Sequence, residues 1–238
     1  MFIGPYVNGA AVIIGGLAGA FFGTRIPLRL RTALPQVFGL CAMGLGISLI
    51  IGAKYLAAVV LALILGTILG ELLYFERGIS QVATRARGYV ERYLPSVDGL
   101  SQKEFLEQFV AIIVLFCASG MGIFGAMHEG MTGDPSVLYI KAILDLFTAA
   151  IFAAALGYAV AFIAVPLILV QLILALLASF ILPLATPAMM ADFSCVGGLI
   201  MLATGLRICA IKSFQVANML PALLLVMPLS YWWANFMA

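Results

Sequence analysis

The chain reads as an all-α, polytopic bundle of transmembrane helices with about eight spans. Three observations carry that reading. Apolar residues make up 65% of the 238 and charged residues 9%, against about 45–50% and about 25% in soluble domains. Charge-free stretches recur along the whole chain, at 1–24, 32–53, 55–70, 108–127, 146–191 and 213–238. The longest holds 46 residues, roughly 69 Å of helix against a hydrocarbon core of about 30 Å, so it must fold back as a hairpin. Such a chain cannot cover a globule with polar side chains. A soluble enzyme, a nucleic-acid binder and a disordered protein are excluded, and a net charge of +2 gives no polyanion partner.

The spans are placed at 5–23, 35–53, 55–75, 106–127, 136–161, 165–183, 190–211 and 214–236. The first is free of positive charge, and Arg25, Arg29 and Arg31 follow it. A cleavable signal peptide has the reverse order, so this is an uncleaved span. Ala11, Gly15, Gly19 and Gly23 form a stripe that lets another helix approach closely, in the same chain or in a second copy as a homodimer. Gly66 and Gly70 make a GxxxG pattern in the third span. Ser101 to Glu104 fits a capping box ahead of the fourth. Asp134-Pro135 and Thr186-Pro187 read as N-caps followed by proline at the first helical position, before the fifth and seventh. Pro166 suits the first turn of the sixth, and Pro221 frees a carbonyl in the eighth.

Eight spans put loops 24–34 and 76–105 on one side together with Arg207 and Lys212. That side carries most of the basic residues, so it is cytoplasmic and both termini lie outside. Glu76 to Leu94 mixes Ile79, Val82 and Tyr89 with Arg85, Arg87 and Arg92. It reads either as a helix on the membrane surface or as a solvated linker. At an offset of 159, Gly39 meets Gly198, Leu40 meets Leu199 and Gly46 meets Gly205. Spans one to three would then repeat, inverted, as spans six to eight; shared composition is the plainer account. The chain is one integral membrane domain over 1–238, with a first repeat at 1–75, a cytoplasmic amphipathic linker at 76–105, a central pair of spans at 106–161 and a second repeat at 162–238.

Candidate chemistry concentrates in two places. The segment from Cys117 to Asp134 holds Ser119, Gly120, Gly122, Gly125, His128, Glu129, Gly130 and Gly133. It reads as a broken or re-entrant end to span four lining a path, or as a close helix contact with an ordinary outer loop. His128 is a proton relay or a hydrogen-bond partner. Lys141, Asp145 and Thr148 share one face of span five. A mid-membrane Asp costs about 2.5–3.5 kcal/mol and needs compensation. Lys141 supplies it structurally, or Asp145 faces a cavity as a cation or proton site. Asn8, Gln171 and Asn218 are single amides in apolar spans, explained by helix–helix hydrogen bonds or by a site. Arg207 snorkels, or pairs with an anionic ligand or an intramembrane acid. No metal-ligand spacing or nucleophile–base pair is visible, so no metal, cofactor or enzymatic activity is expected. The four cysteines lack CxxC spacing and read as apolar filling.

The run Val110 to Asp134 resembles the signature of the domain-of-unknown-function 554 family of membrane proteins. Gly4-Pro5-Tyr6-Val7-Asn8, Lys141, Leu144-Asp145, Gln171, Ala191-Asp192 and Val196 to Leu199 resemble it too. The resemblance covers essentially the whole chain. It implies a multi-pass protein of the bacterial inner membrane and implies nothing about activity. The leading expectation from the residues is a small secondary transporter or exporter of an ion or small solute. The alternative is a non-transporting scaffold or regulatory partner that uses the basic loop 76–105 to bind lipid or protein.

Overall fold

Local chemistry sets the helix ends in the computed structural model, which describes residues 2–22, 27–79, 81 and 102–236. Among these, every regular element is helical: α1 (Gly4–Phe22), α2 (Leu28–Ile50), α3 (Leu56–Leu72), α4 (Gln102–Cys117), α5 (Gly120–Thr132), α6 (Ser136–Leu156), a 3-10 segment (Gly157–Ile163), α7 (Ala164–Ser179), α8 (Pro187–Ile208), α9 (Val216–Met219) and α10 (Pro221–Phe236). Thr186 caps α8 by accepting from the Met189 amide at 3.3 Å, with Pro187 in the first position. Asp134 accepts from the Ser136 amide at 3.0 Å, so α6 begins one residue past the proline. Pro166 lies in the first turn of α7, and Pro221 opens α10 after a break at Leu220.

The long apolar run does fold back, and α1 shows how. Gly15 and Gly19 sit against Leu146 and Ala150 of α6, while Gly16 sits against Ala161 and Gly9 against Ile168 of α7. The partner numbers rise along α1 on one side and fall on the other, so α6 and α7 run in opposite directions. Gly157 makes the reversal possible, because its φ of 62° lies in the left-handed region. The small-residue stripe of α1 is therefore occupied within the chain, and so is Gly66–Gly70, which faces Ala222 and Asn218.

These approaches leave no room for a side chain. A Cβ on Gly15 would stand 2.1 Å from the Leu146 carbonyl oxygen, whereas one on Gly44 would meet nothing within 4 Å. Gly15→Ala is expected to cost about 1–3 kcal/mol by overpacking. It should lower the Tm of the detergent-solubilised protein, with Gly44→Ala as the unaffected control. Equal Tm values for the two variants would contradict the packing described.

Two apolar cores result. One gathers Val12, Phe105, Phe116, Leu156, Val160 and Leu167 from α1, α4, α6, the 3-10 segment and α7. The other gathers Ala62, Phe124, Phe193, Met201 and Val226 from α3, α5, α8 and α10. Helix α2 lies antiparallel on α8, with Gly39 against Gly205 and Gly46 against Gly198. Leu40, Ile143 and Leu169 are more than half exposed, at 61%, 61% and 55%. On helices long and apolar enough to cross a membrane, such side chains meet lipid.

The structure differs from the expectations in local detail. Span four is two helices, and the break at Ala118–Ser119 precedes the glycines rather than coinciding with them. Gly120, Gly122, Gly125 and Gly130 are helical, and each packs against a neighbouring chain segment. Gly133 is the left-handed stop of α5, with φ 76°. Helix α3 ends at Leu72, short of the expected 75, and a helical turn over 75–79 follows Tyr74. Ser101 of the capping box, Gly23, Arg25 and the surface-helix residues from 82 onward lie outside the described residues.

Candidate functional site

The break in span four borders two adjoining cavities. Ser119 ends α4 in extended backbone, with ψ 137°, and its Oγ accepts from the Gly122 amide at 3.1 Å to start α5. Beside this restart lies a chamber of about 270 Å³ at the seam of the two cores. Phe38 and Ala42 line it from α2, Phe116 from α4, Met121 from α5 and Thr204 from α8. Helix α6 contributes Lys141, Asp145, Thr148 and Phe152. Lys141 and Asp145 are the ionisable residues in this wall.

Lys141 Nζ donates to Asp145 Oδ2 one turn away, with side chains 3% and 12% exposed. The lysine stem passes over Gly122, where a Cβ would lie 2.7 Å from Cε, so the α5 glycine clears its path. The ammonium also stands 5.7 Å from the centre of the Phe116 ring. Thr148 and Thr204 donate their hydroxyls to the carbonyls of Leu144 and Ile200 at 2.7 and 2.8 Å. Their oxygen lone pairs remain available. Asn8 of α1 lies against Asp145 and is fully buried, yet neither amide atom is in hydrogen-bonding geometry.

A second cavity of about 290 Å³ shares Leu115, Ser119, Thr204 and Ile208 with the first. Its polar wall holds the ion pair of Arg207 with Glu76, at 2.9 Å. Arg207 thus pairs with an acid just past α3. Gly120 also lines this cavity.

The remaining candidates lie elsewhere and mostly hold helices. Glu129 Oε1 accepts from the amides of Ile3 and Gly4 at 2.7 and 3.0 Å, capping α1 where the dipole favours an anion. Asn218 Oδ1 accepts from the Glu76 amide at 2.8 Å and starts the turn over 75–79. His128 Nδ1 is 3.3 Å from Thr132 Oγ1, and its ring lies 5.5 Å from that of Phe124, away from the chamber. Asp134 is exposed; hydrogen bonds from Ser136 hold its carboxyl below the usual carboxylate range, and the nearby His128 adds to this. That cap is therefore present above the ordinary carboxylate pKa and is lost as pH falls through the lowered one. Gln171 of α7 is 1% exposed, with no hydrogen-bond partner among the described residues.

Ser119 of the glycine-rich segment and Lys141, Asp145 and Thr148 of span five line one chamber, whereas Glu129, His128 and Asp134 of the same candidate set lie outside it. Sequence reasoning missed Thr204, Glu76 and the aromatic wall. It also missed the role of Asp192, which is fully buried and accepts from the Lys54 and Tyr55 amides at 2.7 and 2.9 Å. A helical acid five residues past a helix start was a signal for that role only once its partner turn was known.

The family model described as "Protein of unknown function (DUF554)" matches residues 3–231. The uncharacterized protein YqgA of Escherichia coli (strain K12) is 52% identical over 238 residues, covering 100% of both chains. The uncharacterized membrane protein YdfK of Bacillus subtilis (strain 168) is 26% identical over 226 residues, covering 93% of both. No solved structure matches. A bundle of apolar helices with lipid-facing side chains, matched by this family over nearly its whole length, makes the chain a membrane protein belonging to the DUF554 family.

Proposed function

We propose that this protein is a small secondary transporter or exporter whose solute site is the chamber at Lys141 and Asp145. The observation that carries the reading is an ion pair held mid-span on the wall of a cavity, beside a helix broken at membrane depth. Irregular backbone at that depth is tolerated where it is buried or lines a cavity, and intramembrane charges commonly mark substrate or ion paths. The two cavities sharing a wall at Ser119 and Thr204 describe a path from the Arg207–Glu76 pair to the chamber.

An inverted repeat of α1 to α3 as α7 to α10 would fit the same reading. The glycines aligned at the offset of 159 meet crosswise, Gly39 with Gly205 and Gly46 with Gly198, as a two-fold axis in the membrane plane would place them. The helix bounds in the structure also correspond, since Leu28–Ile50 shifted by 159 falls on Pro187–Ile208 to within a residue. Each core holds paired members of the two repeats: α1 with α7, and α3 with α10. Rocking of one core against the other would open the seam chamber alternately. The basic bias supports cytoplasmic loops at 24–34 and 76–105 with both termini outer, and the bacterial relatives favour the cytoplasmic membrane. Transport involves no enzymatic step. A homodimer would need a face other than the glycine stripes of α1 and α3, which are occupied within the chain.

Liposomes containing the protein and loaded with a metabolite mixture test this. A specific component should exchange with the medium, read by mass spectrometry, and exchange should fall to the protein-free level for Thr204→Phe, which fills the shared wall. Identical release from protein-free, variant and unaltered liposomes would remove the transport reading.

A further inference from the structure

We infer that the chamber takes a small zwitterion of zero net charge with an apolar body, the chemical class of an apolar α-amino acid. This deepens the transport reading and rests on it. The first support is charge balance. Lys141 and Asp145 are the ionisable residues in the described wall, and they cancel. A lone anion or cation would enter with its charge uncompensated in an otherwise apolar enclosure, which is strongly disfavoured. A zwitterion can open the pair and satisfy both members, its carboxylate on Lys141 and its ammonium on Asp145.

The second support is the sorting of donors and acceptors. Lys141 and Ser119 converge at the start of α5, since a Cβ on Gly122 would touch Lys141 Cε at 2.7 Å and Ser119 Oγ at 3.0 Å. Ser119 Oγ accepts from Gly122, so its hydroxyl hydrogen is available for the same carboxylate. Asp145 and the lone pairs of Thr148 make the acceptor end, because the Thr148 hydrogen is committed to Leu144. Asn8, buried against Asp145 without hydrogen-bonding geometry, is placed to take up the carboxylate as Lys141 turns to the ligand.

The third support is size and lining. About 270 Å³ sits near the lower end of ligand pockets, about 300–1,000 Å³. Phe38, Phe116 and Phe152 offer aromatic surface to the remainder of the molecule.

The test is thermal stabilisation of the purified full chain in lipid nanodiscs by L-phenylalanine and L-leucine. N-acetyl-L-phenylalanine serves as the anion, L-phenylalaninamide as the cation and N-acetyl-L-phenylalaninamide as the neutral form. The two amino acids should raise Tm saturably, and each blocked form should bind about tenfold or more weakly, a difference of about 1.4 kcal/mol or more. The shift should vanish in Lys141→Met/Asp145→Leu. A blocked form that binds as tightly as L-phenylalanine overturns the zwitterion, as does the absence of any shift from either amino acid. Retention of the shift in the double variant overturns its placement. The liposome exchange is read independently, so exchange of some other component would leave the transport reading standing while this one fails.

Discussion

The double variant Lys141→Met/Asp145→Leu is expected to insert and fold with stability near or above that of the unaltered protein, and to carry no solute. Either single change removes one partner of a buried pair and strands the other charge, which costs about 3–5 kcal/mol. Asp145→Asn alone would leave the Lys141 ammonium with the Phe116 ring at 5.7 Å. Loss of flux in that variant would then have two explanations. Replacing both charges with apolar groups of similar size removes the ambiguity, because such exchanges are often neutral or stabilising by about 1–4 kcal/mol. A pair kept for the fold becomes dispensable once its site is filled with hydrocarbon. A pair kept for a ligand does not. Folded protein measured by size-exclusion profile and Tm, with exchange at the protein-free level, is the expected result. Normal exchange would make the pair structural and sink its proposed role.

The chamber is made by the discontinuity and by the glycines together. Ser119 ends one helix and starts the next, which exposes a wall that a continuous helix would close. Gly122 then lets the Lys141 stem lie flat against α5, so the ammonium reaches Asp145 along the wall. A side chain at 122 would push the lysine out of line without touching the ion pair directly. The same segment thus supplies both the broken backbone and the close helix contact, the two readings the sequence offered as alternatives.

How much was legible follows from contrast against an apolar background. Lys141, Asp145 and Thr148 stood out because polar residues at helical spacing are rare in a span. The hairpin followed from length alone. The partners across the seam were hidden, because Phe38, Phe116 and Phe152 do not stand out in a chain that is 65% apolar. Thr204 was hidden for another reason: a threonine in a membrane helix commonly bonds the carbonyl four residues back, as it does here to Ile200 at 2.8 Å. The break was displaced because glycine density drew attention downstream, whereas at membrane depth glycine chiefly permits close packing. A single serine capping an apolar helix, with no acid three residues on, carries little signal. Glu129 and Asp192 looked alike as acids near span ends, and both turned out to cap helices other than their own.

Asp192→Ala is expected to produce the largest loss of stability among single substitutions outside the chamber. The carboxylate is fully buried and takes three hydrogen bonds, from the Lys54 and Tyr55 amides at 2.7 and 2.9 Å and from the Ser230 hydroxyl at 2.6 Å. It thereby ties the α2–α3 turn and α10 to α8. The two amides belong to the start of α3, where no intrahelical acceptor exists and the dipole favours an anion. Alanine would take the acceptor from both part-buried donors. Hydrogen bonds between neutral side chains in membrane helices average only about 0.6 kcal/mol, because alternative partners are found in the unfolded state. Here the donors are backbone groups fixed by the turn and the acceptor is charged, so a loss of about 2–4 kcal/mol is the fitting scale. Asp192→Asn keeps one carbonyl oxygen for the amides and an NH₂ for the oxygen of Ser230, and should retain most of the stability. Unfolding in a denaturing detergent titration would rank the three proteins as Asp, then Asn, then Ala. An Ala variant as stable as the Asn variant would show that the turn at Lys54 finds its hydrogen bonds elsewhere.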